Sequence, residues 1–280
     1  MRVLLAGCLG QLGRTISEVW PREDELVVPS EAEFNIIDWQ SARRLIAEVR
    51  PDVVVNAAAF TDVDGCESQP DLAYQVNALG PRNLASACLA TGAALVHIST
   101  NCVFDGNATS PYREFDPTNP ISVYGRSKLA GEEVVRAVLP RHYIVRTAWL
   151  YSVYGRNFVK TILRLAKERP SLDMVADEVS NPTYAPDLAR ALVALTRQEL
   201  FGTYHFTNAG ACSRHEFAAE ILRLAGHADF PLRPMALEDY VRPSRPPLYS
   251  ALRNSCGESI GIALRPWQDA LAEAVAQLAP

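Results

Sequence analysis

Tyr124 and Lys128 stand four residues apart in the segment Tyr124-Gly125-Arg126-Ser127-Lys128. Residues at this spacing project from one face of a helix, so the two side chains can act as a pair. The lysine ammonium would favour the tyrosinate and lower the pKa of the phenol from its usual value near 10. The pair therefore predicts general acid–base chemistry, with an exposed tyrosine beside a solvated lysine as the alternative.

A glycine-rich loop follows the first apolar run of the chain. Gly7, Gly10 and Gly13 recur every third residue, with Gln11 and Leu12 between the last two, and a helix is predicted to begin near Arg14. Between a strand and a helix, such glycines let the backbone approach a pyrophosphate, which the amide groups at the helix N-terminus then bind. The loop predicts a dinucleotide site, and an ordinary strand-to-helix turn is the alternative.

The identity of the dinucleotide stays open at this stage. An acidic residue after the second strand would bind the ribose hydroxyl of NAD, and a basic one would suit the extra phosphate of NADP. Glu31 is such an acid, Ser30 accepts either cofactor, and Arg14 is the basic candidate. We expect NADPH or NADH to serve, with a slight preference for NADPH.

A third residue joins the acid–base pair. The apolar run Ala94-Leu95-Val96-His97-Ile98 ends in Ser99-Thr100, at the carboxyl end of a predicted central strand, where doubly wound sheets bind their ligands. The Thr100 hydroxyl would bond a substrate carbonyl while Tyr124 protonates the developing alkoxide and the nicotinamide supplies hydride. Alone, Thr100 would be a strand-end hydroxyl bonded to nearby backbone.

The elements that position these residues alternate between strands and helices. Strands are predicted at residues 2–6, 25–28, 52–56, 94–99 and 143–147, and helices at 214–225 and from Trp267 to Leu278. This alternation predicts an α/β fold, a Rossmann-type doubly wound parallel sheet with a smaller C-terminal substrate-binding lobe. We assign residues 1–156 to the NAD(P)-binding domain and 157–280 mainly to the lobe, with some segments returning to the main sheet.

Composition limits the classes of function. With 27 Lys+Arg against 32 Asp+Glu, the net charge of -5 offers no basic field for nucleic acid. The N-terminal apolar run is too short for a signal or membrane segment, so we expect a cytoplasmic protein with no membrane partner. Six scattered cysteines without zinc spacing predict free thiols and no metal site. Whether the chain forms a homodimer stays open.

With these motifs in place, the sequence resembles the dTDP-4-dehydrorhamnose reductase family of extended short-chain dehydrogenase/reductases along essentially its whole length. Further similar stretches lie at residues 55–64, 77–80, 146–151, 157–160, 181–189 and 242–246. The resemblance implies NAD(P)H-dependent reduction of the 4-keto group of a nucleotide-activated 6-deoxyhexose, most simply dTDP-4-dehydro-L-rhamnose to dTDP-L-rhamnose.

The resemblance also assigns roles to individual residues. It implies that Thr100, Tyr124 and Lys128 are catalytic, with Tyr124 and Lys128 also contacting the cofactor. Ala57, Ala58 and Ala59 would line the cofactor beside the glycine loop and Arg14. The predicted substrate-binding residues are Asn101, Val103, Phe104, Trp149, Asn157, Tyr184 and Arg245. Plainer roles are close packing for the alanines, a core position for Trp149, a helix N-cap for Asn157, a solvated loop charge for Arg245, and a tie between neighbouring strands for Asn77.

Two positions depart from the family pattern and leave alternatives open. The family usually has Asp-Tyr after the catalytic threonine, where this chain has Asn101-Cys102, and often an acid where it has Asn35. The missing acid argues against a sugar dehydratase. A reductase or epimerase of another nucleotide ketosugar remains an alternative, as does a non-catalytic NAD(P)-binding subunit resembling the regulatory subunit of methionine adenosyltransferase.

Overall fold

The computed structural model describes residues 1–278 of the chain. A six-stranded parallel sheet forms its centre, in the order β10-β5-β4-β3-β1-β2. The strands are β1 (Arg2–Ala6), β2 (Glu25–Val27), β3 (Val53–Asn56), β4 (Ala94–Thr100), β5 (His142–Thr147) and β10 (Gly202–His205). The order reverses direction between β1 and β3, as in a doubly wound sheet, so the predicted α/β fold is confirmed.

Alternate residues of each strand bury opposite faces of the sheet. In β1, Val3 and Leu5 enter one core cluster while Leu4 and Ala6 enter the other, and Val53 and Val54 divide in the same way. Helices α1 (Gln11–Val19) and α8 (Ala185–Thr196) cover the first face. Helices α2 (Trp39–Val49), α5 (Gly80–Thr91) and α6 (Val123–Val138) cover the second.

The loop between β3 and α5 carries short helices instead of one long one. These are α3 (Val63–Ser68), α4 (Pro70–Tyr74) and a π-helical turn at Gln75–Leu79. Asn77 in the π turn bonds the backbone of Phe60 through both its oxygen (2.9 Å) and its nitrogen (3.1 Å), and its nitrogen also donates to Ser127 Oγ (3.0 Å). Asn77 thus ties the loop after β3 to α6, and not two strands to each other as the sequence suggested.

The smaller lobe has its own hydrophobic core, built around Phe217 and Trp267. Its elements are β6 (Leu150–Tyr151), α7 (Phe158–Glu168), β7 (Leu172–Val175), β8 (Val179–Ser180), β9 (Thr183–Tyr184), β11 (Cys212–Ser213), α9 (Arg214–Leu224), β12 (Leu232–Met235) and α11 (Trp267–Leu278). α8, β10 and α10 (Ser255–Ser259) belong to the main layers although they lie beyond residue 156. Within residues 1–278, no helix has the length and apolarity needed to cross a membrane.

Candidate active site

The glycine loop forms a tight cradle between β1 and α1. Gly7 adopts a φ of +80°, and a Cβ there would lie 2.5 Å from the backbone nitrogen of Ala58. A Cβ on Gly13 would lie 2.1 Å from the carbonyl oxygen of Gly7, so α1 can pack this closely only with glycine. The helix begins at Gln11, three residues before the position predicted from the sequence, because Gly10 already serves as its N-cap.

The N-terminus of α1 is open to an anion. Among the described residues, no side chain caps this helix, and its first turn contains no acidic residue. Its free backbone N–H groups and the positive end of its dipole therefore face the cavity above the loop. The cradle and the open helix end together fit the pyrophosphate of a dinucleotide.

One cavity of about 460 Å³ lies between the carboxyl edge of the sheet and the smaller lobe. It gathers most of the sequence-predicted residues: Gly10, Gln11, Leu12, Ala57, Ala58, Ala59, Thr100, Asn101, Tyr124, Lys128, Trp149 and Asn157. An adjoining cavity shares Gly10 and the three alanines and adds Gly7, Glu31 and Asn35. A nucleotide extending from the first cavity into the second would pass over the glycine loop.

The structure does not bring six predicted residues to either cavity. Gly13 packs beneath the loop, and Arg14 Nε donates to the Leu9 carbonyl on the outer side. Val103 and Phe104 are fully buried in a separate apolar cluster, where Phe104 stacks on Tyr112 at 4.1 Å. The remaining two are Tyr184, which is buried in the core of the lobe with its hydroxyl donating to Gln277, and Arg245, which lines a different surface pocket.

Thr100 ends β4 and faces the cavity beside Asn101. Its Oγ1 accepts a hydrogen bond from the backbone N–H of Cys102 (3.1 Å) and donates to Asn101 Oδ1 (3.2 Å). Only 5% of Thr100 is exposed. The hydroxyl is thus held in a fixed direction at the sheet edge.

Tyr124 and Lys128 lie in the first two turns of α6. Ser122 caps this helix by accepting from the N–H of Gly125 (3.1 Å). A Cβ on Gly125 would lie 2.1 Å from the Cys102 carbonyl oxygen, so this glycine allows the helix to approach the end of β4. The spacing of four residues therefore places Tyr124 and Lys128 on the same wall of the cavity.

The pKa shifts of the pair differ from the sequence-based expectation. Burial raises the pKa of the Tyr124 phenol above its usual value, and the nearby Thr100 hydroxyl offsets this only in part. Burial lowers the pKa of Lys128 to about 8, against the opposing charge of Glu132. Lys128 Nζ donates to the Ile98 carbonyl oxygen at 2.7 Å. The predicted lowering of the Tyr124 pKa by Lys128 is therefore wrong for this arrangement, because burial of the phenol dominates.

A buried ionic cluster lies behind these residues. Glu132, one turn after Lys128, accepts hydrogen bonds from Ser99 Oγ (2.5 Å) and from Nε and Nη2 of Arg146 (3.0 and 2.8 Å). Burial opposes ionisation of Glu132, but the hydrogen bonds and charge of Arg146 outweigh it and leave its pKa below the usual value. The cluster fixes the ends of β4 and β5 relative to α6.

Trp149 and Asn157 connect the lobe to the cavity. Trp149 has a φ of +41°, which is rare for a bulky residue, and the Arg214 guanidinium lies 3.6 Å from its ring centroid. Asn157 caps α7 through its Oδ1, while its Nδ2 donates to Gln11 Oε1 (3.0 Å). Asn157 is thus the N-cap of α7 and also lines the cavity.

Several cavity residues were missed by the sequence analysis. They are Thr147, Glu178, Arg214, Arg242 and Ser250. Glu178 and Arg214 form an ion pair at 3.1 Å on the lobe side of the cavity. The one available signal was the capping pair Ser213 and Glu216, which fixes the start of α9, but no local pattern shows that Arg214 points toward the sheet.

A Rossmann-type sheet with an open glycine loop and a threonine, tyrosine and lysine around one cavity defines an extended short-chain dehydrogenase/reductase. A family model described as the RmlD substrate binding domain matches residues 1–279, and the chain belongs to that family.

Individual relatives agree with this family assignment. The dTDP-4-dehydrorhamnose reductase of Streptomyces griseus is 43% identical, over 97% of this chain and 92% of the relative. A crystal structure of a dTDP-4-dehydrorhamnose reductase from Clostridium acetobutylicum has a TM-score of 0.96 and 43% identity, covering 99% of both chains. Another, from Bacillus anthracis in complex with NADP, has a TM-score of 0.94 and 37% identity, again covering 99% of both.

Proposed function

We propose that this protein reduces the 4-keto group of a nucleotide-activated 6-deoxyhexose with NADPH or NADH, taking dTDP-4-dehydro-L-rhamnose to dTDP-L-rhamnose in the cytoplasm. The observation that carries the proposal is the meeting of Thr100, Tyr124 and Lys128 on the wall of the cavity that the glycine loop enters. The substrate is inferred from the full-length relatives, which are dTDP-4-dehydrorhamnose reductases.

Gly10, Gln11 and the alanines at 57–59 would hold the dinucleotide, which when bound supplies the hydride. Thr100 would hold the keto oxygen with its hydroxyl. The raised pKa of Tyr124 keeps its phenol protonated at neutral pH, so this residue can give its proton to the oxygen as the carbonyl becomes an alcohol. Lys128, on the same cavity wall, would place a positive charge near that oxygen and favour its developing negative charge.

Trp149 and Arg214 would form the sugar end of the cavity. The ring and the guanidinium are stacked, so they present an apolar face edged by hydrogen-bond donors, which suits a deoxysugar. NADPH is the slightly preferred cofactor, since the similar reductase of Bacillus anthracis forms a complex with NADP. Arg14 lies outside the cavity and would have to turn from the Leu9 carbonyl to contact a 2′-phosphate.

The test measures oxidation of NADPH and NADH with dTDP-4-dehydro-L-rhamnose and identifies the product by NMR. We expect Tyr124→Phe to lower kcat by a factor on the order of 10² or more while NADPH affinity stays within about twofold, because only the proton donor is lost. Lys128→Met should weaken both cofactor binding and rate. The matched control is Tyr74→Phe on an exposed tyrosine of α4, which should behave as the parent.

Other results would select the alternatives. Turnover by Tyr124→Phe at the parental rate would remove Tyr124 as the proton donor. A product that is isomeric with the substrate, formed without cofactor oxidation, would indicate an epimerase. Tight NADPH binding without turnover of any 4-keto sugar would instead favour the regulatory, non-catalytic interpretation.

A further inference from the structure

The side-chain nitrogen of Asn101 is committed to the smaller lobe. It lies 3.0 Å from Ser180 Oγ, 2.7 Å from Ser250 Oγ and 3.4 Å from the Ser250 carbonyl oxygen. A carbonyl oxygen can only accept, so the NH2 group, and not the amide oxygen, faces these atoms. Asn101, Ser180 and Ser250 are each at most 3% exposed. The Asn101 amide therefore connects the end of β4 to the smaller lobe through buried hydrogen bonds.

The amide oxygen of Asn101 is committed to the active site. It accepts the hydroxyl of Thr100 at 3.2 Å, and the same hydroxyl oxygen accepts the N–H of Cys102 at 3.1 Å. Thr100 is thereby fixed from two sides. Since Asn101 uses both its oxygen and its nitrogen on protein partners, its place on the cavity wall does not by itself make it a contact for the sugar.

An ionised carboxylate would act differently at this position. It would bind the Thr100 hydroxyl with a charge-assisted bond roughly twice as strong as a neutral one. That bond would compete with a keto oxygen for the only proton that Thr100 can donate. It would also place a negative oxygen, without a hydrogen, against the Ser250 carbonyl. A neutral amide avoids both effects, because it is a weaker acceptor and supplies two hydrogens to the lobe.

We propose that Asn101 is a positioning residue that holds the Thr100 hydroxyl through a neutral acceptor and anchors it to Ser180 and Ser250 of the smaller lobe. This inference rests on the proposed function. It gives a reason for the departure from the aspartate usual in the family, because the Ser250 carbonyl, which can only accept a hydrogen bond, faces the NH2 group. In the reaction, the keto oxygen would replace Asn101 Oδ1 as the acceptor of the Thr100 proton.

The first test is the pH profile of Asn101→Asp. Burial beside an acceptor raises the pKa of a carboxyl group, so the introduced acid is neutral at low pH and can donate to Ser250 in place of the amide. We expect the ratio of variant to parental kcat to fall at least tenfold from about pH 5 to about pH 8. The KM for the ketosugar should change far less, because Thr100 and not Asn101 contacts the reacting group. A ratio that is flat with pH would overturn the positioning role.

The matched control is Asn254→Asp. Asn254 is also buried, its Nδ2 also donates to a backbone carbonyl, that of Thr207 (2.7 Å), and its Oδ1 also accepts a threonine hydroxyl (3.2 Å). It does not line the cavity. This variant should lose stability, but its kcat relative to the parent should not vary with pH. The same pH-dependent fall in Asn254→Asp would assign the effect to general destabilisation and refute the inference.

A second readout is independent of turnover. Thr100→Val, Asn101→Asp and the double variant form a thermodynamic cycle of Tm values at pH 8. The carboxylate loses its charge-assisted donor in the valine background, so Asn101→Asp should lower the Tm by several degrees more there than in the parent. Additive effects would show that the two side chains are not coupled, and would overturn the inference. If the parent reduces no 4-keto sugar, the proposed function fails, and this cycle still decides whether Asn101 holds Thr100.

Discussion

Removal of the Glu132 charge tests how far the buried cluster stabilises the active-site edge of the sheet. Glu132 is fully buried and accepts hydrogen bonds from Arg146, Ser99 and Arg136. Glu132→Gln keeps the shape of the side chain but places an NH2 group where one carboxylate oxygen stood. Arg146, which is 3% exposed, would then hold an uncompensated charge against a donor. The substitution therefore breaks an ion pair without opening a cavity.

The magnitude follows from the burial of both partners. Removing one member of a buried ion pair typically costs about 3–5 kcal/mol, because the other charge stays desolvated. For a chain of this size, such a loss lowers Tm by roughly 10 °C. Glu132 has a lowered pKa in the folded protein, so its contribution is present above the pKa of the unfolded chain and is lost as the pH falls through the folded pKa. The glutamine variant should lack this part of the acid sensitivity.

Thermal unfolding at neutral pH and at a descending series of pH values measures both effects. Glu133→Gln is the control, since it makes the same change on the more exposed side of the same helix and should leave Tm within about 2 °C of the parent. A Glu132→Gln variant that also unfolds within about 2 °C of the parent would refute the argument from burial. An acid dependence of stability identical to that of the parent would also refute it.

Two further substitutions test the cavity itself. Gly13→Ala should weaken NADPH binding strongly in a fluorescence titration, because its Cβ would lie 2.1 Å from the Gly7 carbonyl oxygen. Gly10→Ala, whose Cβ would lie 3.5 Å from the same oxygen, is the comparison and should bind at least about ten times more tightly than Gly13→Ala. Thr147→Val should raise Tm slightly and weaken binding of NADPH or the ketosugar about tenfold, because its hydroxyl is buried on the cavity wall without a protein partner in the described residues. Unchanged binding of both ligands by Thr147→Val would show that neither ligand uses the hydroxyl.

The centre of the sheet could be predicted closely because strands such as β3 and β4 are buried on both faces. Apolar runs such as Val53-Val54-Val55 indicate such strands, and the five predicted strands match the observed ones to within one residue at each end. The sixth strand, β10, was not predicted, because its sequence Gly-Thr-Tyr-His is not an apolar run. The start of α1 was placed too late. Its first residues do not look helical in sequence, because a glycine N-cap and a missing acidic first turn remove the usual signals of a helix start.

The site residues outside the central strands were harder to assign, because a motif gives the position of a side chain along the chain and not the direction in which it points. After Thr100, a single 3₁₀ turn at Asn101–Val103 rotates the backbone, so Asn101 faces the cavity while Val103 and Phe104 enter the core. Tyr184 likewise ends a two-residue strand whose side chain packs into the lobe. Arg214 shows the converse, since its contact with Trp149 depends on how α9 packs, which no local pattern encodes.

Tyr124 and Lys128 also show why spacing alone cannot give a pKa. A spacing of four residues on one helix face brings the two side chains to the same cavity. The sign of each pKa shift, however, depends on how much water each group loses on burial. Both groups lose enough that burial dominates, raising the pKa of the phenol and lowering that of the ammonium to about 8. A phenol that stays protonated suits the reductive direction, in which a proton must be given to the oxygen as hydride reaches the carbon. The oxidative direction would need the tyrosinate, which burial of the phenol disfavours.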